Sequence, residues 1–129
     1  SSSNEVGQLR GSYCSNISAR TGATCLTIHH LSKSALSNDS DDAMSHRSEI
    51  RGASSIVDGA RFAIAMWVAD EETTEKVCSE QGMDFNRMSV VKAGLVKSNS
   101  GNVDYAVKTL IRKDAVLEIL DNNKSFEWN

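Results

Sequence analysis

Two adjacent histidines, His29 and His30, close the hydrophobic, β-branched run 23–28 and stand directly before Leu31, Ser32, Lys33 and a long polar stretch. Further along come Arg51-Gly52-Ala53-Ser54-Ser55, then Asp58-Gly59-Ala60-Arg61, and later Lys97-Ser98-Asn99-Ser100-Gly101. A hydrophobic strand that ends abruptly in polar side chains and a loop is how open α/β sheets present groups to a ligand, in the crevice beyond the strands' carboxyl ends. The histidines therefore stand where chemistry would occur. The plainer alternative is that one of them caps a strand end through a satisfied hydrogen bond. For Arg61 the plain alternative is a salt bridge, since exposed arginines usually form weak pairs.

The elements that would position these groups follow from hydrophobic spacing. Val6, Leu9, Tyr13 and Ile17 recur at helical spacing and predict a helix over 4–20, stopped at Thr21-Gly22 because glycine tolerates a left-handed cap. The run 23–30 reads as a strand buried on both faces, so helix, glycine turn and strand together suggest a parallel unit. Residues 32–47 are rich in Ser, Asn and Asp without a period and read as a flexible loop, which extends to about residue 50. A short helix is predicted over 53–58, a second buried strand over 61–68, and a helix over 71–81, capped by Asp70 and ended by Gly82. Two further strands, 87–97 and 102–112, are joined at Ser98-Asn99-Ser100-Gly101, a hairpin turn by its Asn and Gly content. Residues 115–120 add an edge strand.

Composition narrows the function classes. A chain of 129 residues, 40% hydrophobic and 24% charged, is a single ordinary globular domain or part of one. The net charge of −3 gives no global basic field, so nucleic-acid binding would need a local groove or several subunits around a channel. Three cysteines without a C-x-x-C pair suit a reduced, cytoplasmic setting. No run approaches the ~20 apolar residues of a membrane span, and the first residues do not resemble a signal peptide. The absence of an initiator methionine and the immediate entry into a helix suggest part of a longer chain.

The ordered motifs carry a resemblance. The helix, "RTGAT", the hydrophobic strand and "HHLSK", followed by "RGASSIVDGARF" and "GLVKSNSG", resemble the region downstream of the second nucleotide-binding motif in RepA-type hexameric replicative helicases, which are RecA-like ATPases. The resemblance covers most of the chain. It implies part of a RecA-like α/β sheet, with a helix and buried parallel strands, ending in an antiparallel hairpin. It further implies ATP and magnesium as cofactors of a full-length parent, a homo-oligomeric ring and single-stranded DNA as partners, and plasmid or phage replication as the setting.

Site roles follow from the resemblance residue by residue. A polar residue at the strand end senses the γ-phosphate, and His30, nearer the loop, matches it. Adjacent strand residues face opposite ways, so His29 cannot share that task. Arg61 matches the arginine finger that reaches a neighbour's nucleotide, an interaction worth about three to five orders of magnitude in rate. Arg51 could hold that role instead, or pair with Asp58. Lys97 matches a cation on a hairpin that approaches the nucleotide across the subunit interface, with Asn99 shaping the turn and adding to the nucleotide contacts. Lys33 and Arg47 are the DNA-binding candidates of the loop, although Asp39, Asp41 and Asp42 lie among its basic residues.

Other signals are weaker. Asp70-Glu71 after a hydrophobic run imitates a magnesium site but suits a helix cap better. Zinc spacing is absent and no G-x-S-x-G elbow occurs, so no metal ligands are assigned. The resemblance also lacks its central part, because no G-x-x-x-x-G-K-[ST] loop occurs. This chain alone is therefore expected to bind no cofactor and hydrolyse no ATP. It would supply the phosphate sensor, DNA-facing loop and trans-acting arginine of a helicase. The alternative is a non-catalytic oligomerisation or DNA-binding module derived from the same fold. Either way, exposed apolar edges favour self-association.

Overall fold

A computed structural model describes residues 3–32, 42–50 and 53–120. Helix α1, Ser3–Thr21, opens the chain. Gly22 ends it with φ +72°, its N–H donating to the Ser18 carbonyl. A 3-10 helix, Ala43–Glu49, and a short helix α2, Ala53–Gly59, follow. Strand β1, Phe62–Val68, leads into helix α3, Glu71–Glu80. Strands β2, Val90–Ser98, β3, Lys108–Lys113, and β4, Val116–Ile119, complete the described chain.

The four strands form one sheet in the order β1-β2-β3-β4, and every neighbouring pair is antiparallel. This overturns the expected RecA-like sheet of buried parallel strands. Parallel neighbours need a crossover that carries the chain back along the whole strand. Here α3 runs out and the segment 83–89 returns to the end it left, where the Ala69 N–H donates to the Val90 carbonyl at 3.0 Å. The Arg87 guanidinium, bonded to the Ala69 carbonyl, holds that return in place.

The strand expected over 23–30 is likewise not formed. Its apolar residues Leu26 and Ile28 are 79% and 89% exposed, and only Leu31 makes a bridge, to Ile50. The turn expected at Ser98–Gly101 is not a tight hairpin either. β3 meets β2 only from Ala93↔Lys108 to Val90↔Ile111, so a longer connection with Asn102 at φ 54° joins them. The tight turn is instead Asp114-Ala115, with φ of 50° and 65°, between β3 and β4.

One face of the sheet carries the core in two clusters. Ala69, Val77, Cys78, Val90 and Ile111 pack under α3. Ala43, Ala65, Trp67 and Val96 pack under the 3-10 helix. The close approach of that helix requires Gly94, where a Cβ would come within 2.6 Å of the Ala43 Cβ.

Asp70 caps α3 as its position predicted, its carboxylate accepting the Thr73 N–H at 2.7 Å. The hydrogen bonds from Thr73 hold the Asp70 carboxyl below its ordinary value of 3.8, helped by Lys92 and Arg87. Asp70→Ala should cost about 1 kcal/mol, as lost caps do. The lowered native value sets the sign of the pH dependence. The contribution is complete above the unfolded Asp value and is lost as pH falls through the native one. Urea melts at pH 7 and at about pH 3 should therefore separate Asp70→Ala from the parent at the first pH and narrow the difference at the second.

Candidate functional site

The residues singled out in the sequence converge in part on one corner, where α2 meets the ends of β1 and β2. β1 and β2 pair Ala63 with Lys97 and Phe62 with Ser98, and the Asn99 N–H continues the ladder to the Arg61 carbonyl at 2.9 Å. Arg61 and Asn99 thus face each other at the end of the ladder, two rungs from Lys97. A register shift between Ala63 and Ile64 leaves Val96 as the extra residue of β2. Such a bulge lets neighbouring side chains share a face. Val96 enters the core while Lys97 reaches toward α2.

Asp58 ties the corner together. Its carboxylate accepts the Arg47 guanidinium at 2.7 Å, and its carbonyl accepts the Lys97 ammonium. The second guanidinium nitrogen of Arg47 donates to the Val96 carbonyl at 3.4 Å. Arg61 is exposed beside them. Two cations against one carboxylate, with Arg61 alongside, leave the corner locally positive within an acidic chain.

A cleft of about 820 Å³ opens beside this corner between α1 and α2, lined by Gln8, Ser12, Ser15 and Asn16 on one side and Ser55 and Asp58 on the other. Helix α1 approaches α2 closely at Gly7, where a Cβ would lie 2.3 Å from Ser55 Oγ. That hydroxyl is buried without a hydrogen-bond partner. The lining offers hydroxyl and amide groups suited to hydrogen bonding and one carboxylate at its margin. Among the described residues, no three His, Cys, Asp or Glu side chains gather as a metal site.

His30 does not join this corner as a strand-end group. It stands exposed on irregular chain, because the strand that was to carry it does not form. Lys33 and Arg51 lie outside the described residues. Arg47, expected on a DNA-facing loop, is on the 3-10 helix and engaged with Asp58.

Sequence reasoning missed the largest fully buried side chain among the described residues. His46 is 0% exposed, its Nδ1 is 2.9 Å from the Glu49 carboxylate, and its ring stacks on Trp67 with centroids 3.9 Å apart. The spacing of His46 and Glu49, one helical turn, was the available signal. The aperiodic surroundings concealed it. This cluster supports the helix from within, and its burial leaves it no opening to a ligand.

No described helix is long and apolar enough to cross a membrane. No family model, curated protein or solved structure matches this chain.

Proposed function

We propose that this chain is a non-catalytic assembly module that pairs with a second copy of itself through the open face of the sheet and the free edge of β1. One observation carries this reading. Phe62, Ile64 and Met66 project from an edge strand and are 51%, 54% and 46% exposed, on the face opposite the one that α3 and the 3-10 helix cover. Pairing places Val91, Ala93, Leu95 and Leu110 on that same face, with Ser98 and Lys108 beside them and Ile119 at its far side, 66% exposed. At about 4.8 Å between strands and about 3.4 Å per residue, the face measures roughly 400 Å². An exposed apolar patch of that order is often an interaction site.

The occupant is argued from the edge itself. The strand Phe62–Val68 contains neither charge nor proline, the devices with which edge strands ordinarily refuse a further strand. An antiparallel edge is complementary to its own two-fold copy, so a second chain continues the ladder and sets the two apolar faces side by side as one surface. Sedimentation of the full chain between about 1 and 100 μM should show a concentration-dependent dimer, with dissociation in the micromolar range. A monomer across that range would overturn the reading.

A second reading is favoured by the meeting of Arg61, Lys97, Asn99 and Arg47 at one corner. On it, the corner belongs to an ATP-dependent DNA motor and holds a phosphate of nucleotide or single-stranded DNA. Binding of a labelled single strand should then weaken with salt by a logarithmic slope of about −0.7 for each phosphate neutralised. Arg61→Ala should remove one such increment. A slope unchanged by Arg61→Ala would take Arg61 out of the contact.

A further inference from the structure

We propose that Cys14 and Cys25 form a reversible disulfide that staples the segment after α1 back onto the helix. The chain reverses at Gly22, whose positive φ turns it, and the Thr21 hydroxyl fixes the reversal by donating to the Ile17 carbonyl at 2.7 Å and accepting the Ala23 N–H at 3.1 Å. The returning segment runs beside the last turns of α1. It brings the Cys25 sulfur to 3.7 Å from the carbonyl oxygen of Cys14 and 3.9 Å from the Ser18 hydroxyl, eleven and seven residues away in sequence.

The sulfur of Cys25 therefore lies over the very residue that carries the other thiol. The Cys14 side chain leaves the same Cα–carbonyl unit that Cys25 already touches, so a change of χ1 between staggered positions is the movement that closure requires. Both residues are at least partly accessible, whereas Cys78 is sealed in the core at 2% exposure.

The oxidant is a low-molecular-weight disulfide such as oxidised glutathione. The thiolate of exposed Cys25 attacks one of its sulfurs, which breaks the S–S bond, forms a mixed disulfide and releases one thiolate. The thiolate of Cys14 then attacks the Cys25 sulfur, forms the intramolecular bond and releases the second. Two protein thiols are oxidised, one small disulfide is reduced, and the two protons leave on the released thiols.

The sequence makes the test direct, because trypsin cuts after Arg10, Arg20 and Lys33 and so puts the two cysteines on separate peptides, 11–20 and 21–33. After equilibration of the full chain with oxidised glutathione, the intact mass should fall by two hydrogens. The two peptides should travel as one species until reduced, and Cys78→Ala should behave identically. Cys14→Ser should divert Cys25 to a glutathione adduct. Recovery of Cys25 from the unsubstituted chain as a glutathione adduct or an intermolecular dimer, with Cys14 still free, would overturn the assignment.

Discussion

Trp67→Ala is expected to lower the stability of the fold by about 3–5 kcal/mol, the cost of truncating a buried tryptophan. Trp67 is 7% exposed and forms the floor of the cluster under the 3-10 helix, together with Ala43, Ala65 and Val96. The neighbours are small and cannot refill the space of an indole. The loss also reaches His46, whose ring rests on the indole and is otherwise wholly enclosed. Removing the indole leaves the imidazole, still paired with Glu49, facing a void, so a lost aromatic contact adds to the apolar term. Against a total stability of about 5–15 kcal/mol for a domain, the change removes a large share. Trp67→Phe keeps an aromatic face for His46 and should lose clearly less. Denaturant midpoints followed by circular dichroism measure both, and a loss below about 1 kcal/mol for Trp67→Ala would show that the helix is held by other contacts.

Ile64→Glu should weaken self-association by about tenfold or more while leaving the fold intact. Ile64 is 54% exposed in the single chain, so a charge there stays in water when the chain is alone. Surface changes of this kind usually alter stability by about half a kcal/mol. In a two-fold dimer the same glutamate enters the interface from both copies. Across the seam each carboxylate meets an equal charge where two isoleucines had packed, which opposes the pairing from both sides. Leu9→Glu supplies the control. Leu9 is 72% exposed on α1, away from the sheet, and its substitution should leave the dimer unchanged. If Leu9→Glu separated the copies and Ile64→Glu did not, the interface would lie on α1 and the sheet face would have another purpose.

The elements that announce themselves by side-chain chemistry were legible. Asp70 before Glu71-Glu72 and Gly82 after the helix bracket α3, and 62–68 forms a strand as its hydrophobic run predicted. Connectivity was not legible, because a buried run does not state the direction of its neighbour. The run 23–30 has the composition of a strand but no partner edge to join, and composition cannot show that. The break between β3 and β4 was legible, since the expected strands 102–112 and 115–120 stop on either side of it, but its tightness was not, because Ala115 takes a left-handed conformation that its side chain disfavours. Of the candidate site, Arg61, Lys97 and Asn99 come together because flanking strands pair, although not in the sheet that motivated their choice. The tie through Asp58 depends on a bulge that places Lys97 on the helical side, and a bulge leaves little trace in sequence.

That tie also sets an order of events. The contacts of Arg47 with Val96 and of Lys97 with Asp58 span 49 and 39 residues, whereas β3 and β4 meet across a two-residue turn. Long loops close at a greater entropic cost than short ones, so the hairpin is a natural early structure and the basic corner a late one. As the chain emerges during synthesis, the 3-10 helix must wait for β2 before Arg47 finds its carbonyl acceptor. The corner that gathers most of the functional candidates is thus a late check on folding, assembled only once β2 has returned to the 3-10 helix and α2.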